Sequence, residues 1–251
     1  MYIACSTLCF SKHSLDRAFA AIHEMRFSKV DLAIHESGPH LKPSEVATDV
    51  NRHATILRAA GLSFAAFHLE IQAADPDQYR ELLRSSCRLA RLVTVPVVCI
   101  AAAQRGSDFE EEVRRLTHLC KLAVSEGVIL TVETHRDTIT ADPLGAAELC
   151  HRVPGLGLTL DPSHYTVGPH PLPDYDDIYP HVCHVRLRDT AIDKMQVRVG
   201  QGQIEYGKII SLLEREDYDR ALTVDIRDQM PSDFPTEPEV RKLKYLLESM
   251  V

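Results

Sequence analysis

Eight short apolar runs, each followed by a segment with helical spacing, limit this chain more than any other feature of its sequence. The runs are Tyr2–Ser6, Lys29–Ile34, Leu62–Leu69, Val95–Ala101, Val128–Glu133, Leu156–Asp161, Val182–Leu187 and Leu222–Ile226. Near-continuous apolar strands of this kind suit a parallel sheet buried on both faces. Strict strand–helix alternation leaves a closed barrel or a doubly wound sheet. A doubly wound nucleotide binder needs a glycine-rich turn after its first strand, and here that turn reads STLCFSKHS, without glycine. No Walker or dinucleotide motif occurs elsewhere. The expectation is one α/β domain over residues 1–251, a single (β/α)8 TIM barrel; 251 residues matches the usual length of about 250.

Helix ends are legible. Asp75-Pro76 reads as an N-cap with proline at the first helical position. Ser107 with Glu110, and Thr236 with Glu239, have capping-box spacing. Gly61 and Gly127 stand where a left-handed C-terminal cap belongs. Phe109, Val113, Leu116, Cys120 and Ala123 form an amphipathic stripe. The stretch from Pro162 to Asp177 reads as a long strand-to-helix loop at the mouth of a site.

Composition narrows the partners. A net charge of −8 argues against a nucleic-acid backbone as ligand. No apolar run approaches the roughly 18 residues of a membrane helix, and the N-terminus MYIACSTLCF reads as a first strand rather than a signal peptide. The seven cysteines are scattered, odd in number and free of any CxxC pair. They suit buried small side chains in a reducing cytoplasm rather than a disulfide framework or a zinc ribbon.

Chemistry concentrates where strands end. VETHRDT (132–138), TLDPSHYT (159–166) and HVRLRDT (184–190) close three consecutive runs with acids, histidines and arginines. In a barrel they share the C-terminal rim, where such barrels keep their active sites. Glu133 ends strand five, Asp161 ends strand six with His164 three residues on, and Asp225 lies near the end of strand eight. His184 and Arg186 point the same way on strand seven. Carboxylates with an imidazole suit a divalent ion with open positions, which would stabilise an enediolate. Each residue also has a plain structural role open to it. Asp161 before Pro162 is a good helix cap, His184 suits a satisfied core histidine, and Asp225 inside LTVDI needs a positive partner, for which Arg186 is the candidate. His68 points toward the pocket. In RVGQGQIEYG, Gly200 and Gly202 permit close backbone approach to a ligand, with Arg198 beside them.

These strings resemble the xylose-isomerase-like TIM-barrel superfamily, the sugar phosphate isomerases and epimerases related to endonuclease IV. The resemblance runs from the first strand to VDI at 224–226 and rests on ETHRDT, LDPSH, the H-V-x-L-x-D pattern at 184–189 and GQGQIEYG. It implies a Mn²⁺, Mg²⁺ or Zn²⁺ ion held by Glu133, Asp161, a strand-seven histidine and a strand-eight acid at position 225. It further implies acid–base work by Glu133 and Asp225, and substrate contact by His164, His68, His135, Arg186 and Arg198. The expected ligand is a small sugar or polyol, and a homo-oligomer is compatible with the exposed barrel helices.

One position departs from the pattern. The strand-seven ligand stands three residues before Asp189, and that residue is Arg186, which cannot ligate a metal. Position 225 carries aspartate in place of glutamate. Three arrangements follow: a metal on Glu133, Asp161 and Asp225 completed by His164 or water; His184 serving as the fourth ligand; or the Arg186 guanidinium in place of the cation. The first two support an isomerase, epimerase or dehydratase. The third supports a metal-free barrel that binds a carbohydrate or organic acid. A repair endonuclease would need more histidine ligands and a basic face.

Overall fold

Strand β1 (Tyr2–Ser6) pairs in parallel with β2 (Lys29–His35) on one side and β8 (Ala221–Val224) on the other, which closes the sheet. Between them run β3 (Ser63–Glu70), β4 (Val97–Ile100), β5 (Ile129–Glu133), β6 (Leu156–Leu160) and β7 (Val182–Leu187), in sequence order. The structure, a computed structural model, describes all residues except His170, Pro173, Pro231 and Ser232. The eight-stranded (β/α)8 barrel expected from the alternation is thus formed, with all eight strands near their predicted positions.

The helices are α1 (Leu15–Glu24), α2 (Pro43–Thr48), α3 (Val50–Ala59), α4 (Pro76–Leu92), α5 (Phe109–Ser125), α6 (Pro143–Arg152), α7 (Ser163–Thr166), α8 (Tyr206–Arg215) and α9 (Thr236–Glu248). Among the described residues none is long and apolar enough to cross a membrane. Asp75 caps α4 by accepting from the Asp77 and Gln78 amides at 3.3 and 3.1 Å. Gly61 and Gly127 have φ of +68° and +75°, the left-handed conformation that glycine adopts without steric cost.

Two expected capping boxes are not formed. The cap of α5 is Asp108, whose carboxylate accepts from the Glu111 amide at 2.7 Å; aspartate one residue nearer the helix displaces Ser107 from that role. At α9 the cap position is Pro235, and Glu239 instead accepts the Val199 amide at 2.9 Å. The loop expected from Pro162 to Asp177 contains the short helix α7 and leads into a 3₁₀ turn at Asp176–His181; His170 and Pro173 lie outside the described residues.

Strand periodicity separates two buried faces. Leu130 and Val132, Leu158 and Leu160, Val185 and Leu187, and Leu222 and Val224 belong to one large apolar cluster with the helices. Burying one such side chain contributes on the order of 1.5–3 kcal/mol, so this layer holds the barrel to its helical coat. The alternate positions carry Asp31, Thr131, Thr159, His184, Arg186 and Thr223, all buried. Barrel interiors are usually packed with branched apolar side chains. This interior is polar, and a polar interior must be hydrogen-bonded throughout.

Candidate functional site

The interior is organised by β7. His184, Arg186 and the next residue of the same parity, Arg188, stand on one face of the strand and its extension, and all three are buried. His184 is deepest; its Nε2 lies 2.9 Å from Asp31 Oδ2 and 3.2 Å from Thr223 Oγ1. One step up, Arg186 donates from Nε to Asp31 Oδ2 at 2.7 Å, from Nη2 to Asp31 Oδ1 at 3.4 Å, and from Nη1 to Glu133 Oε1 at 2.7 Å. At the rim, Arg188 donates from Nη2 to Asp161 Oδ2 at 2.5 Å and to Asp225 Oδ2 at 2.7 Å, and from Nε to the Asp225 carbonyl at 3.1 Å. Arg227 adds a bond from Nε to Asp225 Oδ2 at 3.0 Å.

Four buried carboxylates, Asp31, Glu133, Asp161 and Asp225, are therefore interleaved with three guanidinium groups. Removing such charges from water costs several kcal/mol each unless they are paired with good geometry, and arginine's planar fork suits two acids at once. Burial pushes the Asp31, Glu133 and Asp225 carboxyls upward, but the neighbouring guanidinium groups outweigh it and hold all three below the usual carboxylate range. These acids are ionised.

Local structure fixes the ladder. The Asp161 amide donates to Thr134 Oγ1 at 2.8 Å, joining the ends of β5 and β6. Asp161 Oδ1 accepts from the Ser163 amide at 3.0 Å, but the cap position of α7 falls on Pro162, so Asp161 is not the helix cap that the sequence left open to it. The Arg227 amide and carbonyl are clamped by the Gln196 side chain at 2.8 and 3.1 Å.

Around the acids stand several imidazoles. His68 Nε2 lies 4.0 Å from Glu133 Oε2, the oxygen not used by Arg186, and its ring meets His35 edge-on at 4.6 Å. His164 Nε2 lies 3.8 Å from Asp161 Oδ2, and its ring is 3.9 Å from that of His135. Burial drives His164 and His35 down to about 4 and holds His68 well below its ordinary value. At neutral pH His35, His68 and His164 are neutral rings that can donate or accept a hydrogen bond.

Of the residues expected at the site, the structure gathers Glu133, Asp161, Asp225, Arg186, His164, His135 and His68 at or beneath the rim. His184 is committed to Asp31 and Thr223, one rung below the carboxylates it was expected to join. Arg198 is exposed and lies over the Phe234 ring at 5.7 Å, apart from the ladder. The glycine-rich stretch brings its backbone close to a side chain. Gly200 and Gly202 amides donate to Asp189 Oδ2 at 2.7 and 3.0 Å, and a Cβ on Gly202 would come within 2.1 Å of Asp189 Oδ1.

Three contributors escaped the sequence reading: Asp31, Arg188 and Arg227. Asp31 had a signal, a lone acid inside the apolar run KVDLAIH. Arg188 had another, since it continues the parity of His184 and Arg186 past the expected strand end. Arg227 follows Asp225 by two residues, but only the folded loop shows it turned back.

The divalent ion implied by the resemblance does not fit this donor set. Each of its three expected carboxylate ligands already holds a guanidinium, and an ion on Asp161 and Asp225 would have to displace Arg188 from both. Among the described residues no group of three or more histidine, cysteine or acidic side chains is arranged to hold a metal.

No curated protein matches the chain by sequence. Solved structures match its fold over nearly the whole length. A probable 3-DHS dehydratase, AsbF, from Bacillus anthracis is 17% identical, with 99% of each chain covered and a TM-score of 0.74. An L-ribulose 3-epimerase is 16% identical over 100% of this chain and 96% of its own, with a TM-score of 0.77. A xylose isomerase-like TIM barrel protein from Mycobacterium smegmatis, in complex with magnesium, is 14% identical over 99% and 97%, with a TM-score of 0.78. At such identities the likeness is one of fold. The family model of the xylose isomerase-like TIM barrel matches residues 19–247, and the chain belongs to that family.

Proposed function

We propose that this protein binds a small polyhydroxylated molecule, a sugar, polyol or hydroxy acid, at the C-terminal rim of its barrel, using fixed guanidinium and imidazole groups where relatives would use a divalent cation. The observation that carries this reading is the pair of arginine bridges, Arg186 between Asp31 and Glu133 and Arg188 between Asp161 and Asp225. They neutralise the acids and leave Glu133 Oε2, His68 and His164 to meet hydroxyl groups. The ligand class draws support from the family and from the epimerase and dehydratase among the structural neighbours.

The test is metal analysis of the purified protein combined with calorimetric titration of ketoses, inositols and aldonic acids, with and without chelator. The expected result is a metal content far below one per chain, and binding that a chelator leaves unchanged. Glu133→Gln should weaken that binding by about tenfold or more, the worth of one charge-assisted hydrogen bond. One tightly held dication per chain would overturn the proposal.

A second reading is an isomerase or epimerase that holds Mg²⁺, Mn²⁺ or Zn²⁺ on Glu133, Asp161 and Asp225, with Glu133, Asp225 and His164 in acid–base roles. The magnesium complex of the M. smegmatis protein favours it. It requires Arg188 to leave both carboxylates. Under this reading Glu133→Gln and Asp225→Asn abolish turnover of a substrate that the unaltered protein converts.

A further inference from the structure

Against His164 lies a cavity of about 400 Å³, within the size range of small-ligand sites. Its walls include Arg105, Arg136, Asp137, His164, Tyr165 and Leu172. Arg105 comes from the loop between β4 and α5. That loop is stitched to the one after β5: the Arg105 amide donates to the Asp137 carbonyl at 2.9 Å, the Ile139 amide to the Ala103 carbonyl at 3.0 Å, and Gln104 pairs with Thr138 in an antiparallel bridge. The backbone that presents Arg105 is therefore fixed by sheet-like bonds.

The guanidinium at its tip has a different standing. Arg186, Arg188 and Arg227 are all bonded to carboxylates, whereas among the described residues nothing pairs with the Arg105 side chain. Arg136 Nε is 3.7 Å from Asp137 Oδ1, beyond hydrogen-bond reach, and the Arg136 side chain is half exposed. Two cations against one anion make this wall locally positive on a chain of net charge −8, an arrangement that concentrates anions. Tyr165 donates from its hydroxyl to the Thr140 carbonyl at 2.9 Å, which sets its ring as a rigid wall. His164 faces both this cavity and Asp161 of the ladder, and its Nδ1 is buried without a hydrogen-bond partner among the described residues. One molecule spanning His164 would touch both regions.

We infer that this cavity receives an anionic group of the ligand, a phosphate monoester or a carboxylate, and that Arg105 is the residue that selects for it. The inference rests on the small-molecule reading of the rim, because His164 joins the two regions.

Inorganic phosphate and acetate are the probes, titrated separately into the full chain by calorimetry and by histidine-selective NMR. The unaltered protein should show saturable binding of at least one of them, with shifts of the His164 and His135 ring signals. Arg105→Gln should weaken that binding at least about tenfold, as expected for the loss of a charge-assisted contact, while Arg84→Gln on the outer face of α4 leaves it unchanged. Phosphate binding without acetate binding would identify a phosphomonoester, and the converse a carboxylate. Absence of saturable binding, or binding equal in Arg105→Gln, would overturn the inference. If the probes bind through Arg105 but no sugar, polyol or hydroxy acid binds the protein, the reading of the rim fails and the subsite stands. If a neutral polyol binds and neither probe does, the subsite fails and the reading of the rim stands.

Discussion

Arg186 Nη1 lies 2.7 Å from Glu133 Oε1, joining β7 to the end of β5 across the barrel interior. The same guanidinium holds Asp31 on β2 through Nε at 2.7 Å. Three strands that are not neighbours in the sheet are thereby tied through one side chain. The tie fixes the carboxylate that faces His68.

Removing that guanidinium should leave Glu133 buried without its hydrogen-bonded cation and Asp31 with His184 as its remaining partner. Arg186→Ala is expected to lose about 3–5 kcal/mol of unfolding free energy, read as a lowered urea midpoint. Arg186→Lys should recover only part of it, since an ammonium cannot reproduce the fork that bridges two acids. A midpoint unchanged in Arg186→Ala would show that the bridge does not hold the barrel.

Stability should fall with acid in two stages. His35, His68 and His164 titrate near 6.5 when unfolded but lower when folded, about 4 for His35 and His164, because burial disfavours the charged ring. Below about pH 6.5 the unfolded chain binds protons that the folded chain refuses, so stability drops as pH falls toward 4. Asp31, Glu133 and Asp225 are depressed below their ordinary values of 3.8 to 4.5. Their contribution is complete above those values and is lost at lower pH. Urea midpoints between pH 8 and 3 should be level above pH 7, decline below about 6.5 and decline more steeply below about 4.5. A midpoint constant from pH 7 to 5 would contradict the neutral imidazoles.

Gly202→Ala should be costly although Gly202 lies outside every helix and strand. Its new Cβ would come within 2.1 Å of Asp189 Oδ1 and 2.6 Å of the Thr190 carbonyl, with backbone on one side. Overpacking of this order costs roughly 1–3 kcal/mol. Gly207→Ala, with nothing within 4 Å of the added atom, is the matched control, and a thermal melt separates the two. Equal melting temperatures would mean that the loop yields without cost.

The cysteines should be inert in the native state. Cys5, Cys9, Cys87, Cys99, Cys120 and Cys150 are buried, and burial raises the Cys99 thiol to about 11 and Cys120 and Cys150 to about 12. Only Cys183 is partly accessible. A thiol reagent should label at most that one residue quickly at pH 8, and all seven after denaturation. Rapid labelling of a second cysteine would show that a buried strand or helix opens.

The sequence by itself determined the barrel. Eight apolar runs with helical segments between them leave few other ways to bury that surface, and strand positions depend on local patterning that any reader of the chain can count. It also determined which strand ends carry chemistry, since Glu133, Asp161, His164 and Asp225 close or follow apolar runs. Tertiary structure alone decided what those residues do for one another. Asp31 and Arg186 are 155 positions apart in the chain, and Arg188 reaches Asp161 and Asp225 from two different neighbouring strands. No local pattern encodes such pairings. They exist because barrel closure turns one parity of every strand inward, and buried charges brought together there must neutralise one another or go unpaid in a medium that solvates them poorly. That requirement sets Arg186 and Arg188 on the carboxylates.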